Sequence, residues 1–199
     1  MAINDKSVHK STYGTIFYAP VGTALPTNPL EAFKINASEV NAGGDGGSAK
    51  WKNLGHTSAN NMAELTINPG DANSSDTWLK KNFRTTYGDA SAQLSVKALQ
   101  IDKETLQLIY NGTADTDGGG VEVDIAAKPN VLALVLVAQE TPDDTDPAKW
   151  LVEMRRTSIT PDGGPTLSRD DFVEQGLIAQ IEDPGNNKKP LHFVLPAAD

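Results

Sequence analysis

The sequence predicts a mainly β protein, built as a two-sheet β-sandwich or partly closed barrel with one flanking α-helix and a long N-terminal loop. Three observations lead to this fold class. Several stretches alternate apolar and polar residues with a period of two, one stretch has a capped helical pattern, and 17 glycines and 12 prolines indicate many turns. Several strands followed by a single helix and then more strands favour a sandwich or a partly closed barrel.

The 199 residues suit one domain with extended arms. Residues 1–12 are predicted to form a polar N-terminal arm, because they contain too little apolar material to become ordered alone. Residues 13–199 form a single β domain that includes an extended loop over residues 21–50. That loop contains Pro26, Pro29, the glycine cluster Gly43–Gly47 and a weakly helical piece, Leu30–Phe33. A loop of this length is uncommon in a compact domain unless it has a task or a partner, so it favours assembly.

The first half of the domain contains three predicted strands. Thr15–Ala19 forms a short strand that ends at Pro20. Apolar and polar residues alternate over residues 63–67, which predicts a half-buried strand ending in a turn at Asn68–Asp71. The same alternation over residues 92–98 predicts a second long strand.

A helix is predicted between Asp102 and Tyr110. Asp102 is placed to cap its first turn, with Ile101 and Leu106 as a hydrophobic staple. Leu106, Ile109 and Tyr110 are expected on one face. Asn111-Gly112 supplies a left-handed stop.

The second half of the chain continues with strands. Alternation predicts strands over residues 121–125, 150–155 and 177–181, and residues 191–195 are expected to add a last edge strand. Residues 131–138 have no polar face, so they are predicted to form a central strand covered on both sides.

Composition and charge exclude several classes of function. The net charge is −9 and the sequence pI is about 4.8, so the surface repels phosphate backbones unless its cations are segregated. The chain has no cysteine, which excludes disulfides, thiolate metal sites and cysteine nucleophiles, and fits synthesis in a reducing cytoplasm. Its N-terminal residues lack the pattern of a secretory signal, and its longest apolar run is too short to span a bilayer.

No motif for catalysis or for a cofactor stands out, so the sequence predicts no catalytic, cofactor or metal residues and no enzyme. His9, His56 and His192 lack the spacing of a zinc site, and no Gly-x-Ser-x-Gly elbow occurs. The two glycine-rich runs lack the Lys-Ser/Thr of a phosphate loop. Two clusters of aspartates are interpreted either as solvated loops or as a weak calcium site, and they comprise Asp115 and Asp117, and Asp143, Asp144 and Asp146.

Aromatic and basic residues supply the candidate contact surface. Trp51, Trp78 and Trp150 lie beside alternating apolar residues, which favours packing in the core or at a subunit interface over a ligand platform. The only basic cluster next to aromatic residues lies around Trp78 and Phe83. It could serve as a single-strand nucleic-acid platform, but in so acidic a chain a salt-bridging contact to a neighbouring subunit is favoured. The predicted subunit interface comprises Trp51, His56, Trp78, Lys80, Lys81 and Arg84.

The stretch Gly14–Pro26, followed by a polar loop and then Trp51–Ser58, resembles the opening of the major tail tube proteins of long-tailed, siphovirus-like bacteriophages. In that family a short strand leads into a long mobile loop, and the chain re-enters the fold through a segment whose place is filled here by Leu54, Gly55, His56 and Thr57. The resemblance continues through Trp78, residues 90–99 and residues 102–112.

This resemblance implies a structural virion protein, assembled in the host cytoplasm, that forms stacked six-membered rings around a channel for DNA. It implies that strands of neighbouring subunits complete an inner barrel, and that the arm and the 21–50 loop reach adjacent subunits. It also implies tape measure and tail terminator proteins as partners, with DNA passing through the lumen without specific binding and no membrane contact. Two alternatives stay open: a monomeric β-sandwich binding module, for example for carbohydrate, and a single-ring protein similar to tail terminators.

Overall fold

The computed structural model describes residues 8–43, 49–146 and 148–196. In these residues the chain forms thirteen strands and two helices. In chain order they are β1 (Tyr13–Pro20), α1 (Pro29–Ala32), β2 (Glu39–Asn41), β3 (Lys50–Asn53), β4 (Glu64–Asn68), β5 (Ala72–Thr77), β6 (Lys80–Tyr87), β7 (Ser91–Ala98), α2 (Lys103–Tyr110), β8 (Thr113–Ala114), β9 (Val121–Glu122), β10 (Asn130–Gln139), β11 (Trp150–Pro161), β12 (Gln175–Ile181) and β13 (Leu191–Val194).

Nine of these strands form one antiparallel sheet in the order β2-β3-β1-β10-β11-β12-β7-β4, with β13 also paired to β11. β12 pairs with residues 157–161 of β11 and β13 with residues 151–154, so these two strands lie end to end along one side of β11. The mainly β prediction is confirmed, and of the two architectures it left open, the single curled sheet is the partly closed barrel.

Strand β10 lies between β1 and β11 and is buried on both faces. Leu134 belongs to one hydrophobic cluster, whereas Ala133, Val135 and Val137 belong to a second cluster on the opposite face. The prediction of a central strand covered on both sides is therefore confirmed. The absence of a polar face in residues 131–138 follows from this double burial.

The sheet curls so that strands far apart in its order share one core. Ile16 of β1 and Leu94 of β7 belong to the same buried cluster, although three strands separate them in the sheet. The segment between β3 and β4 connects the two sides: the Leu54 N–H donates to the Ile16 carbonyl at 2.8 Å, and the Ser58 N–H donates to the Lys97 carbonyl at 2.9 Å. The result is a half-barrel.

Helix α2 packs into this core and has the predicted caps. The Asp102 carboxylate accepts a hydrogen bond of 2.8 Å from the Thr105 N–H, and Asn111 takes the left-handed conformation with φ 53°. The buried face lies one residue from the predicted one, because the buried side chains are those of Thr105, Leu108 and Ile109. Leu106 and Tyr110 are only partly buried.

The described part of the long loop packs against the second face of its own sheet. Phe33 is fully buried, and its ring makes edge-on contacts with Phe17 and Trp51 at centroid distances of 5.0 and 5.8 Å. The Trp51 indole N–H donates to the Ala24 carbonyl at 3.2 Å. Burial of aromatic side chains therefore holds the described part of the loop on the body; residues 44–48 lie outside the described residues.

The strand expected over residues 121–125 is wrong in length. It covers only Val121–Glu122, which pairs with the two-residue strand β8. The Asp124 carboxylate accepts a hydrogen bond of 2.9 Å from the Ala126 N–H and begins a turn there. Ile125 consequently lies fully in solvent.

Candidate functional site

The hairpin formed by β5 and β6 is exposed along its whole length. Every residue of both strands is exposed to solvent. Trp78 and Leu79 at the hairpin turn have exposures of 106% and 98%, and Phe83 and Tyr87 are also mostly exposed. The hairpin therefore carries four large apolar side chains that are mostly or fully exposed and that belong to neither hydrophobic cluster of the described residues.

This hairpin prolongs the sheet as one antiparallel ribbon. Asn68 pairs with Ser91 at the end of β4, and Ala72 pairs with Tyr87 in the same register four residues further on. The turn predicted at Asn68–Asp71 is therefore wrong, because the chain does not reverse there. Pro69 only interrupts the ladder of hydrogen bonds, since it has no N–H to donate. It reverses at residues 78–79, roughly 30 Å beyond the end of β4 at about 3.3 Å per residue.

The turn has an unusual composition for a two-residue hairpin connection. Such turns normally contain Asn-Gly or Asp-Gly, which accept positive φ, whereas here the two residues are Trp78 and Leu79. The positive φ occurs instead at Asn82, whose N–H donates to the Asp76 carboxylate at 2.7 Å next to a bulge in the ladder. Polar residues therefore hold the hairpin, and the two apolar residues at its tip are left exposed to solvent.

The two faces of the hairpin differ in polarity. Residues paired across an antiparallel ladder share a face, so Tyr87 lies with Ala72, and Phe83 follows on the same face by alternation. The opposite face presents Arg84 and the polar residues paired beside it. An aromatic face, a polar face and an apolar tip together form a surface suited to a partner.

The hairpin is also locally basic. Lys80, Lys81 and Arg84 are exposed on β6, against one acidic residue, Asp76, on β5, in a chain of net charge −9. Within the described part of the chain, none of the three basic side chains forms an ion pair. Their charges are therefore available to an acidic partner.

The structure brings four of the six predicted interface residues together. Trp78, Lys80, Lys81 and Arg84 all lie on the hairpin. His56 is exposed on the segment that crosses from β1 to β7, beside a polar cleft of about 620 Å³, and is not part of the hairpin. Trp51 is 0% exposed and packs in the core, so its side chain has no surface for a second subunit and it is removed from the candidate interface.

Sequence reasoning missed the hairpin strands and the exposed residues Leu79 and Tyr87, and it named Phe83 only as a neighbour of the basic cluster. Both faces of β5 and β6 are solvated, so burial imposes no period-two pattern on them. The available signal was the pair Trp78-Leu79 within a polar stretch, because large apolar residues are rare at hairpin turns.

An apolar groove of about 270 Å³ lies at the root of the same ribbon. Its walls are the start of β1, the end of β10, the Trp150 side chain and the segment Thr57–Ala63 that leads into β4. Acidic side chains stand beside that segment: the Asn60 amide donates to Asp171 at 3.4 Å, and the Asn61 amide donates to Glu174 at 2.9 Å. The groove is therefore apolar inside and acidic at its rim.

The aspartates considered as a calcium site act as caps within their own loop. The Asp146 carboxylate accepts hydrogen bonds from the N–H groups of Glu140, Thr141 and Ala148 at 2.8, 2.6 and 2.8 Å. Burial raises the pKa of Asp146, but these hydrogen bonds together outweigh it and hold the pKa below the ordinary value. Among the residues that the structure describes, no group of three or more potential ligands is placed to hold a metal ion.

Of the helices in residues 8–43, 49–146 and 148–196, none has the length and apolar character needed to cross a bilayer.

Comparison with known proteins identifies relatives along most of the chain. Residues 1–197 match the model of a family described as phage tail tube protein. The chain is 32% identical over 138 residues to the major tail protein Gp23 of Mycobacterium phage D29, and this alignment covers 68% of each chain.

Proposed function

Because this chain belongs to the phage tail tube protein family, we propose that it polymerises into stacked hexameric rings that form the conduit for DNA ejection. Membership establishes the coarser role: the protein is a structural component of the virion tail, not an enzyme, and builds the tube with other tail proteins. It also removes the carbohydrate-binding module as an alternative. The match to tube proteins favours a stack of rings over the single ring of a terminator.

The exposed hairpin is the observation that carries the proposed assembly. Burying a large apolar side chain stabilises a protein or a complex by about 1.5–3 kcal/mol. Trp78 and Leu79 are exposed in the isolated subunit, so burying both in a contact would stabilise that contact by several kcal/mol. A contact repeated between successive subunits multiplies this contribution along a tube. We therefore assign His56, Trp78, Lys80, Lys81 and Arg84 to subunit contacts, with the hairpin making the main one.

The open borders of the sheet support closed rings. Within the described residues, β2 and β4 each pair on one side only and end the sheet. An unpaired strand edge is prone to pairing with another chain, and a ring that joins such edges removes them. In the proposed ring, strands of neighbouring subunits continue the half-barrels into one inner barrel around the channel.

The acidic balance of the chain suits a conduit for DNA. Tight binding to duplex DNA depends on cationic contacts that release counterions from the phosphates. A lumen lined by carboxylates offers few such contacts, so DNA would pass without specific binding. We further propose that the tape measure protein occupies the lumen before ejection, that a terminator caps the tube, and that residues 1–12 act as an arm on the single domain 13–199.

Electron microscopy of purified protein at rising concentration tests the proposal. We expect stacked rings with six-fold symmetry in class averages and a lumen that admits a B-form duplex. A particle that stays monomeric at millimolar concentration and with tail partners present would refute polymerisation. Rings of another symmetry would refute only the hexamer.

The role of the hairpin is tested by the double variant Trp78→Ser, Leu79→Ser. We expect it to remain folded and to form no tubes. The matched control is Ile125→Ser, which removes an equally exposed apolar side chain from a different loop and should leave assembly unchanged. Charge reversal at Lys80 and Lys81 should also weaken assembly, and tubes of normal yield from that variant would contradict the ionic part of the contact.

A further inference from the structure

From the hairpin and the groove we infer that the Trp78-Leu79 tip of one subunit inserts into the apolar groove between β1 and residues 57–63 of the next subunit. This inference rests on the proposed assembly and names the receptor for the hairpin. Three observations support it, namely the size of the groove, its position relative to the tip, and the charges around both.

The groove has the size of an anchor pocket. Its volume is about 270 Å³, and apolar side chains that include Ile16, Met62 and Leu136 line it. Hydroxyl-bearing residues also line it, among them Thr15 and Thr57. Its volume lies below the range of about 300–1,000 Å³ that is common for small-molecule pockets. A groove of this volume and character instead suits one large apolar side chain, as interface anchors are usually aromatic residues buried in a pocket.

The groove and the tip lie at opposite ends of the same ribbon. Residues Ser58–Ala63 of the groove wall immediately precede β4, and the ribbon then runs away from them to Trp78. Each subunit therefore carries the apolar Trp78-Leu79 tip at one end of the ribbon and the apolar groove at the other. A contact between two different surfaces is heterologous, and its repetition builds either a closed ring or an open polymer, the two arrangements that a tube of stacked rings combines.

The charges around the two surfaces are complementary. Lys80 and Lys81 follow the tip directly, whereas Asp171 and Glu174 stand beside the groove. A third acid, Glu140, lies at the side of the groove formed by β10, where it accepts a hydrogen bond of 2.7 Å from the Lys10 N–H. Opposite charges at the rim of an interface steer the approach and set its register.

Disulfide trapping tests the assignment, because the chain has no cysteine of its own. Leu79→Cys and Ala59→Cys subunits are purified separately, mixed, assembled and oxidised. We expect a cross-linked heterodimer, since a disulfide requires Cβ atoms about 3.5–4.5 Å apart. The control pair, Ile125→Cys with Ala59→Cys, should give none, and equal cross-linking by both pairs would overturn the assignment.

Filling the groove provides the second test. Ala59 is exposed at the groove, so Ala59→Trp should obstruct it without disturbing the core. We expect the concentration needed for assembly to rise about 30-fold, the change for loss of one hot-spot anchor, and to rise no further when Trp78→Ser is added. Ala126→Trp, at an exposed alanine elsewhere, is the matched control and should assemble normally.

The outcomes separate the two proposals. If the wild-type chain forms no polymer, the proposed function fails. If tubes form and hairpin variants block them, but Ala59→Trp assembles normally and the cross-link is absent, only the groove assignment fails. A cross-link within one chain between Ile3→Cys and Ala59→Cys in the tube would place the N-terminal residues in the groove and would also overturn it.

Discussion

Two tryptophans of this chain are predicted to respond in opposite ways to truncation. Trp51 is 0% exposed and Trp78 is 106% exposed. Truncating a buried tryptophan to alanine costs about 3–5 kcal/mol, which here includes an edge contact with Phe33 and a hydrogen bond to the Ala24 carbonyl. We therefore expect Trp51→Ala to lower the free energy of unfolding by about 4 kcal/mol, and Trp78→Ala to change it by less than about 0.5 kcal/mol.

Urea unfolding of the unassembled subunit, followed by far-UV circular dichroism, measures both changes. With a slope of about 2 kcal/mol per molar, the midpoint of Trp51→Ala should fall by about 2 M, and that of Trp78→Ala should stay unchanged. Limited proteolysis should cut residues 24–43 faster in Trp51→Ala, because the indole holds that loop on the sheet. Assembly should show the reverse order, with the concentration needed for tubes raised about 30-fold in Trp78→Ala.

The intermediate variant Trp51→Phe separates packing from hydrogen bonding. It keeps an aromatic ring against Phe33 and removes the indole N–H, so we expect a loss of about 1–2 kcal/mol. A midpoint shift of less than about 0.5 M for Trp51→Ala would refute the assignment of Trp51 to the core. A large shift for Trp78→Ala with normal tubes would refute the assignment of the hairpin tip to assembly.

Three further predictions concern stability. Asp146→Ala should cost about 1–3 kcal/mol at pH 7 because it leaves three partly buried N–H groups without their acceptor. The folded-state pKa of Asp146 is lowered, so its contribution to stability is lost as pH falls below about 4. Urea midpoints of the variant should therefore depend less on pH in that range than those of the wild type. Asp102→Ala should cost about 1 kcal/mol in thermal unfolding, and Asp102→Ser should restore most of it as an alternative cap. A Cβ at Gly14 would lie 2.8 Å from the Val137 carbonyl oxygen, so Gly14→Ala should lower the free energy of unfolding by about 1–3 kcal/mol. Gly119→Ala, with open space around the added Cβ, should leave it unchanged.

The parts of the fold that the sequence predicts correctly are those in which burial or capping leaves a local pattern. Strand β10 reads as apolar throughout because both of its faces are covered. Asp102 and Asn111 set the two ends of α2. The Asp102 side chain caps the first turn, and the left-handed conformation of Asn111 ends the last turn, so both act on residues close to them in the chain. Interactions between residues so close together in the chain can be predicted directly from the order of residues.

The candidate site was only partly predictable for the same reason. Trp78, Lys80, Lys81 and Arg84 are neighbours in sequence, so their cluster is visible without a structure. Sequence proximity says nothing about exposure. Residue type groups Trp51 with them, yet its contact with Phe33 and its place in the same buried cluster as Phe17 put its side chain in the core.

The residue order by itself thus determined the β-rich class, the central strand, the capped helix and the family to which the chain belongs. Tertiary structure decided that the long loop covers its own sheet, that the ribbon continues past Asn68 to a bare apolar tip, and that an apolar groove forms at the root of that ribbon. These features arise from contacts between residues far apart in the chain, or from the absence of such contacts. Side-chain burial is set by the sum of such contacts, which no local pattern contains.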